Sequence, residues 1–288
     1  MHCVICVGEG AGTKEELNGL KRSSVAVKQS LSELGITSTI CVIKDVIRCI
    51  PKCDFVFNLC DNDEGYFDSF ISFTTFLEQN NIPYTGNTST CFKNCADKLR
   101  WSDNLLLKKY LPPRSDKIHN LTLPCVIKHR YNHGSLYPVQ VIEDNTCALH
   151  LLDNAEYFLE EFIKGEELSV SYLQGYKPRI GIRNLKHEEI LDFQAKWSGK
   201  ISIKRYDLKE EDYNYIVQMV NIIKNSLDVN SYMRLDLRLC TNGTLYLIDI
   251  NPNCSLDPSG SFSEIFSQYK TDYTAIIKSI VIDLIFSK

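Results

Sequence analysis

The sequence predicts an α/β fold, α+β over the whole chain, and three observations carry that prediction. Short β-branched runs alternate with helical periods through roughly the first hundred residues, the pattern of a parallel sheet with crossover helices. Beyond the Pro112-Pro113 pair the chain is strand-rich, and Asn242-Gly243 between two alternating runs is a strong hairpin signal. Composition is ordinary for a globular protein: of 288 residues, 44% are hydrophobic and 24% charged, with 14 glycines and 9 prolines. That excludes disordered, collagenous and low-complexity classes, and the length leaves room for two or three units of about 150 residues or fewer.

The elements follow in order. His2 to Val7 is predicted as the first strand, running into the loop GEGAGTKEELNG. A helix is expected from Val25 to Leu34, with Val25, Leu31 and Leu34 near one face and Gly35 as its stop. TSTICVI and CDFVFNLCD are the second and third strands, SFISFTTFLEQNN is a helix, and IPYTG closes the unit with a short strand and turn. A boundary is expected near Cys95, followed by a helix from Ala96 to Tyr110. LPCVIKHRYNHGS gives a buried strand and a glycine-bearing turn, YPVQVIED another strand, and Cys147 to Asn154 a helix. EYFLEEFIKGEELSVSYL, a helix from Glu210 to Leu227, the hairpin SYMRLDLRLCTNGTLYLIDINPN and an amphipathic helix from Tyr273 to Phe286 complete the chain.

The net charge of −4, from 32 basic and 36 acidic residues with no basic run longer than two, argues against a nucleic-acid partner. No apolar stretch reaches the 18 residues of a membrane span, and the N-terminal CVICV is too short for a signal core. The 12 cysteines show no two-residue spacing of a zinc knuckle or redox motif, and most sit in apolar runs, so buried reduced thiols in a cytoplasmic protein are expected.

The residues that bear chemistry gather between Tyr232 and Asn253. In MRLDLRL a strand turns Arg234, Asp236 and Arg238 to one face, and in LYLIDINPN it does the same for Asp249 and Asn251. The hairpin then joins two carboxylates, an amide and a guanidinium on one surface. Oxygen donors of this kind suit Mg²⁺, though a solvated hairpin face with ordinary salt bridges would carry the same pattern. Lys98, Lys128 and Lys196 stand at the edges of apolar segments, and Glu160, Glu161, Glu166 and Glu167 flank a buried strand around a glycine.

Taken together these segments resemble the D-alanine–D-alanine ligase branch of the ATP-grasp superfamily: VFNLCD, IPYTG and ADK in turn, CVIKHRYNHGS as its phosphate-loop strand, LEEFIKGEELSV as its adenine hinge, FQAKW as its second-domain lysine strand and RLDLRL…LIDINPN as its metal hairpin. The resemblance spans nearly the whole chain and implies an N-terminal α/β domain (1–95) followed by two α+β subdomains clasping ATP, a lid subdomain (96–164) and a C-terminal one (165–288). It implies that Lys98 and Lys128 neutralise ATP phosphates, that the backbone of Glu160, Glu161, Phe162 and Ile163 reads adenine, and that Glu167 holds the ribose. Lys196 would lie near the triphosphate, and Gly134 and Ser135 in the lid over the γ-phosphate. Asp236, Asp249 and Asn251 would hold Mg²⁺, for which Mn²⁺ can substitute, and Arg234 would stabilise the acyl phosphate and the tetrahedral intermediate.

The departures fall on the substrate side. Asp249 stands where the ligase pattern has Glu, the lid loop is one residue longer with His129 at its customary proline, and Ser255 replaces the acceptor-side glycine. The N-terminal loop lacks the serine-rich substrate motif, and LCDNDEGYFDSF lacks its histidine. The implied function is thus an ATP-dependent carboxylate–amine ligase making an amide or peptide bond through an acyl phosphate, on small-molecule carboxylate and amine substrates such as amino acids or a small peptide. A small-molecule kinase on the same scaffold and a non-catalytic nucleotide-binding regulator are the alternatives. A homodimer is open, and no membrane partner is expected.

Overall fold

The run of apolar residues from Cys3 to Val7 forces the first strand inside. The computed structural model describes residues 1–8, 14–43, 50–60, 67–117, 120–131, 140–143, 155–185 and 202–286. A strand that is apolar on both faces must be covered on both, and β1 (His2–Gly8) is the centre of a parallel sheet between β2 (Thr37–Ile43) and β3 (Phe55–Leu59). Its register sets His2 beside Thr37 and Cys3 beside Phe55. Val27 and Leu31 of α1 (Lys14–Glu33) cover one side, Phe73 and Leu77 of α2 (Phe67–Gln79) the other, and Tyr84 adds a parallel bridge beside Val56.

Two expectations are corrected here. The first helix begins at Lys14, not Val25, and Val25 is 54% exposed: the buried stripe runs through Ser24, Val27 and Leu31, with Leu34 only partly covered. The stretch from Ala96 to Tyr110 is not one helix. α3 (Ser89–Ala96), with Thr88 accepting from the Cys91 amide, stops at Asp97 in extended conformation. Asp97 Oδ1 accepts from the amides of Leu99 and Arg100, a 3₁₀ turn follows at Arg100–Asp103, and Asn104 accepts from the amides of Leu106 and Leu107 to open α4 (Leu105–Lys108). Asp and Asn compete with the helix for its own backbone, and two of them in this stretch divide it.

The rest of the chain builds two antiparallel sheets. One has the order β4 (Arg114–Ser115), β7 (Tyr157–Glu161), β5 (Cys125–His129), β6 (Gln140–Ile142). The other runs β10 (Ile203–Arg205), β9 (Arg179–Arg183), β8 (Gly165–Leu173), β11 (Tyr232–Cys240), β12 (Leu245–Asn251). The predicted Glu210–Leu227 helix is α5; its acidic first turn complements the helix dipole, and Ile216, Met219, Val220 and Ile223 pack on Leu168, Val170, Leu235 and Leu237 of the larger sheet. The hairpin turns at Asn242-Gly243, where Gly243 takes φ +86°. A helix with no sequence signal noted for it, α6 (Ser261–Gln268), buries Phe262, Ile265 and Phe266. The terminal helix α7 (Tyr273–Phe286) returns to α1, so that Ile276, Ile277 and Ile280 share a core with Cys3, Ile5 and Phe57. The predicted Cys147–Asn154 helix lies outside the described residues. The ten described cysteines are free and seven are buried, and burial pushes the Cys3 thiol up to about 12. Among the described residues no helix is long and apolar enough to cross a membrane.

Gly165 opens β8 against the end of β11, and a Cβ built there would fall 2.0 Å from the Leu239 carbonyl oxygen. Gly165→Ala should therefore cost at least the ~1–3 kcal/mol of an overpacked site, read as a lowered midpoint in chemical denaturation.

Candidate active site

The period of a strand puts one face of the larger sheet on α5 and leaves the other to charge. On that second face Asp236 pairs with Asp249, Arg234 with Asn251, and across β8 Arg238 sits beside Glu167 and Asp236 beside Ser169. Arg234, Asp236, Asp249 and Asn251 therefore share one surface, as the alternation predicts. The ladder shifts between Asp236 and Leu237, so that Ile248 is the extra residue of a bulge. Bulges re-aim neighbouring groups, and here the Ile248 carbonyl accepts from Lys128 Nζ at 3.2 Å.

Asp236 is buried, with most of its bonds on Oδ1. The Ser169 hydroxyl donates to Oδ1 at 2.6 Å, Arg234 Nε to Oδ1 at 3.1 Å and Nη2 to Oδ2 at 2.9 Å, and Arg183 Nη2 stands 3.4 Å from Oδ1. Burial alone would raise its pKa, but the Arg234 and Arg183 charges outweigh burial and hold the carboxyl well below the usual range. Burial opposes the charge on Arg234 likewise, and Asp236 reverses the balance, keeping the guanidinium protonated. Glu167 lies between Arg183 and Arg238, each 3.3 Å away, yet burial outweighs them and its pKa is raised.

The smaller sheet meets this face along a seam. Lys98 Nζ is 3.1 Å from Asp249 Oδ1, and its carbonyl accepts from Arg114 Nη1 at 2.8 Å. Glu160 is enclosed by Arg114, whose Nε donates to Oε2 at 2.6 Å, and by Lys128, whose Nζ donates to Oε1 at 2.5 Å. Burial lowers the Lys128 pKa, with Glu160 opposing it. In the hinge the Glu161 amide donates to the Pro113 carbonyl and that of Phe162 to the Pro124 carbonyl, both at 2.9 Å. The Glu160 and Glu161 side chains hold the protein itself, the second by accepting from the Thr122 amide at 2.7 Å. His129 is partly buried, 3.6 Å from Glu156 and edge-on to Tyr157, where burial lowers its pKa; it is not a freely solvated loop histidine.

The structure thus brings Lys98, Lys128, Arg234, Asp236, Asp249 and Asn251 to one seam. Lys196 and Ser135, with Gly134, lie outside the described residues. Arg114 and Arg183 were missed: a lone arginine after Pro-Pro, and the alternation of RIGIR, were the only signals. Among the described residues no three His, Cys, Asp or Glu side chains gather as a metal site. The candidate set is two carboxylates and an amide, all oxygen donors as a hard cation requires, and Asp236 Oδ2 keeps lone pairs beyond its bond to Arg234. These residues fit a divalent cation.

An N-terminal parallel domain with two antiparallel sheets meeting at a lysine- and carboxylate-lined seam is the ATP-grasp architecture. The Bacillus anthracis D-alanine–D-alanine ligase complexed with ATP has the same fold, with TM-score 0.80, 17% identity and coverage of 99% of this chain and 97% of that one. Residues 112–282 match the family model described as D-ala D-ala ligase C-terminus, and the chain belongs to that family. The D-alanine–D-alanine ligase of Petrotoga mobilis is 27% identical over 249 residues, 80% of each chain, and that of Trichlorobacter lovleyi 26% over 260 residues, 83% of this chain and 82% of that one.

Glu160 neutralises two buried cations, so Glu160→Gln should destabilise the protein by about 3–5 kcal/mol, the cost of breaking a buried pair from one side. Urea denaturation measures it, and an unchanged midpoint would show that solvent already screens the pair.

Proposed function

We propose that the seam between the two antiparallel sheets is the active site of this ATP-dependent amide-bond-forming ligase, and that its substrates are small amino acids. The observation that carries the reading is the cross-strand placement of Asp236, Asp249 and Asn251 within reach of Lys98 and beside Arg234. Lys98 and Lys128 act on the ATP phosphates, as mobile point charges suited to the task. The backbone from Glu160 to Ile163 reads adenine and Glu167 holds the ribose. Lys196 and Ser135 keep the phosphate roles implied by the resemblance, and the division at 95/96 and 164/165 is the proposed domain plan. Asp236, Asp249 and Asn251 would hold a divalent cation, Mg²⁺ or Mn²⁺, which would neutralise phosphate charge.

The chemistry balances in two steps. A substrate carboxylate oxygen attacks the γ-phosphorus and ADP leaves. The second substrate's amine then attacks the acyl carbon, loses a proton, and expels phosphate as the amide forms. Arg234, kept protonated by Asp236, stabilises the oxyanion of the tetrahedral intermediate. A cavity of about 20 Å³ lies between α1 and the turn after Asn251, lined by Leu20, Ser23, Leu59, Asn253, Ser255 and Leu256. It has room for little more than one water; D-alanine, named in the relatives, is the first substrate to test. The net charge of −4 fits small-molecule substrates in the cytoplasm rather than nucleic acid or membrane.

Phosphate release should require ATP, Mg²⁺, a carboxylate and an amine together; a stable phosphorylated product from one substrate would select a kinase instead. Asp249→Asn should abolish turnover with the fold retained, and calorimetry should show ATP bound more tightly with Mg²⁺ in the parent than in this variant. Arg234→Lys keeps the charge but loses the planar fork, so the barrier should rise by about 2–4 kcal/mol, as for a lost oxyanion donor; a near-normal kcat would make Arg234 a structural strand residue.

A further inference from the structure

We infer that Asn87 is a positioning residue that closes the open end of the β11/β12 hairpin and so holds Arg234 and Asn251 in register. The inference rests on the site reading above. The ladder between the two strands ends at the pair Arg234–Asn251. The next residue of β12's strand direction is Pro252, which has no N–H to continue the ladder, so the carbonyls beyond that rung need another donor. Asn87 supplies it. Its Nδ2 donates to the Tyr232 carbonyl and to the Pro252 carbonyl, each at 2.7 Å, and its Oδ1 accepts from the amides of Asn230 at 2.9 Å and Ser231 at 3.0 Å. Two amides face one end of the side chain and two carbonyls the other, so only one orientation of the amide group satisfies all four.

The residue is 1% exposed, and its seat is fixed on both sides. Thr85 is bound to β3, its amide to the Val56 carbonyl and its hydroxyl accepting from the Asn58 amide, while Thr88 caps α3. A side chain on so braced a stretch spans the entry of β11 and the exit of β12 at once. Arg234 lies two residues past Tyr232, and Asn251 immediately before Pro252. Asp236 and Asp249 lie two pairs further in, secured by the ladder itself and, for Asp236, by Ser169 and Arg183. Loss of the Asn87 amide should therefore loosen Arg234 and Asn251 first, and misplacing such groups by an ångström is enough for about a 100-fold loss in rate.

Asn87→Asp keeps the acceptor for Asn230 and Ser231 and loses both donors. In the nucleotide-free protein, hydrogen exchange should rise in peptides covering 230–236 and 249–254 and stay unchanged in α5. With ATP, Mg²⁺ and both substrates, kcat per folded enzyme should fall by about 100-fold, with ATP affinity measured without Mg²⁺ unchanged. Should the Asp variant not fold, Asn87→Ala admits a water in place of the amide and should show the same pattern in weaker form. A lowered melting temperature with unchanged kcat and unchanged local exchange would reduce Asn87 to a packing residue and overturn the inference, and Asp236→Asn separates this from failure of the site itself. If Asp236→Asn also keeps full turnover, the site reading falls and the inference with it.

Discussion

Charge taken out of water must be answered by charge or hydrogen bonds, and the chain Glu167–Arg183–Asp236–Arg234 across β8, β9 and β11 is where this protein meets that demand. Each group is held by one of opposite sign: Glu167 by Arg183 on the next strand, Asp236 by Arg183 from across β8 and by Arg234 two residues back on its own strand. The network is possible only because the other face of the same sheet is apolar at its centre, where α5 packs on it. Remove that seal and the strands would have two wet faces and no reason to fix the register that sets Asp236 opposite Asp249. The functional face is thus specified by the core behind it.

The seam with the smaller sheet follows the same rule in a different form. Glu160 has one carboxylate for two cations, Arg114 and Lys128, and Lys128 gives a second N–H to a backbone carbonyl at the Ile248 bulge. Lys98 turns to Asp249, one residue from that bulge. The two lysines approach the carboxylates from the smaller sheet's side, so the distance between the sheets and the charge in the seam are coupled: a cation bound among Asp236, Asp249 and Asn251 would compete with Lys98 for Asp249 and release it toward a phosphate.

What was legible in the sequence is what depends on period alone. MRLDLRL and LYLIDIN display their polar face by counting in twos, α5 and the terminal helix were bounded by their own patterns, and CVICV announced the first strand. What was illegible depends on partners distant in the chain. Val25 reads as core in a short helix, but α1 starts at Lys14 and packs against α7, which rotates Val25 outward. Asp97 and Asn104 look like ordinary polar positions in a helical period until their side chains are seen taking backbone amides. Arg183 acquires meaning only beside Glu167 and Asp236, and the Ile248 bulge leaves no mark in composition. Asn87 is one polar residue in a turn, and its four bonds reach segments some 140 positions away, at separations of 143 to 165 residues.

The order of the elements explains why a family match beginning at residue 112 still needs the residues before it. The C-terminal helices α6 and α7 do not pack on their own sheet alone: Phe262, Phe266, Ile276 and Ile280 join Ile5, Phe55 and Phe57 in one core. Polar ties lie across the same junction, from Arg22 to Asp257 at 2.5 Å and from Asn253 to the Cys60 carbonyl at 2.8 Å, beside those of Asn87. The turn after Asn251 is therefore pinned between the N-terminal sheet and its own strand. A two-stranded ribbon of such charge would be marginal in isolation, and its geometry here is imposed from three directions: the apolar face by α5, the open end by the N-terminal unit, and the charged face by Lys98 and by Lys128 of the smaller sheet. Arg234 and Asn251 sit where the second and third of these meet, so the N-terminal unit contributes to the chemistry of the seam by holding residues it does not itself carry.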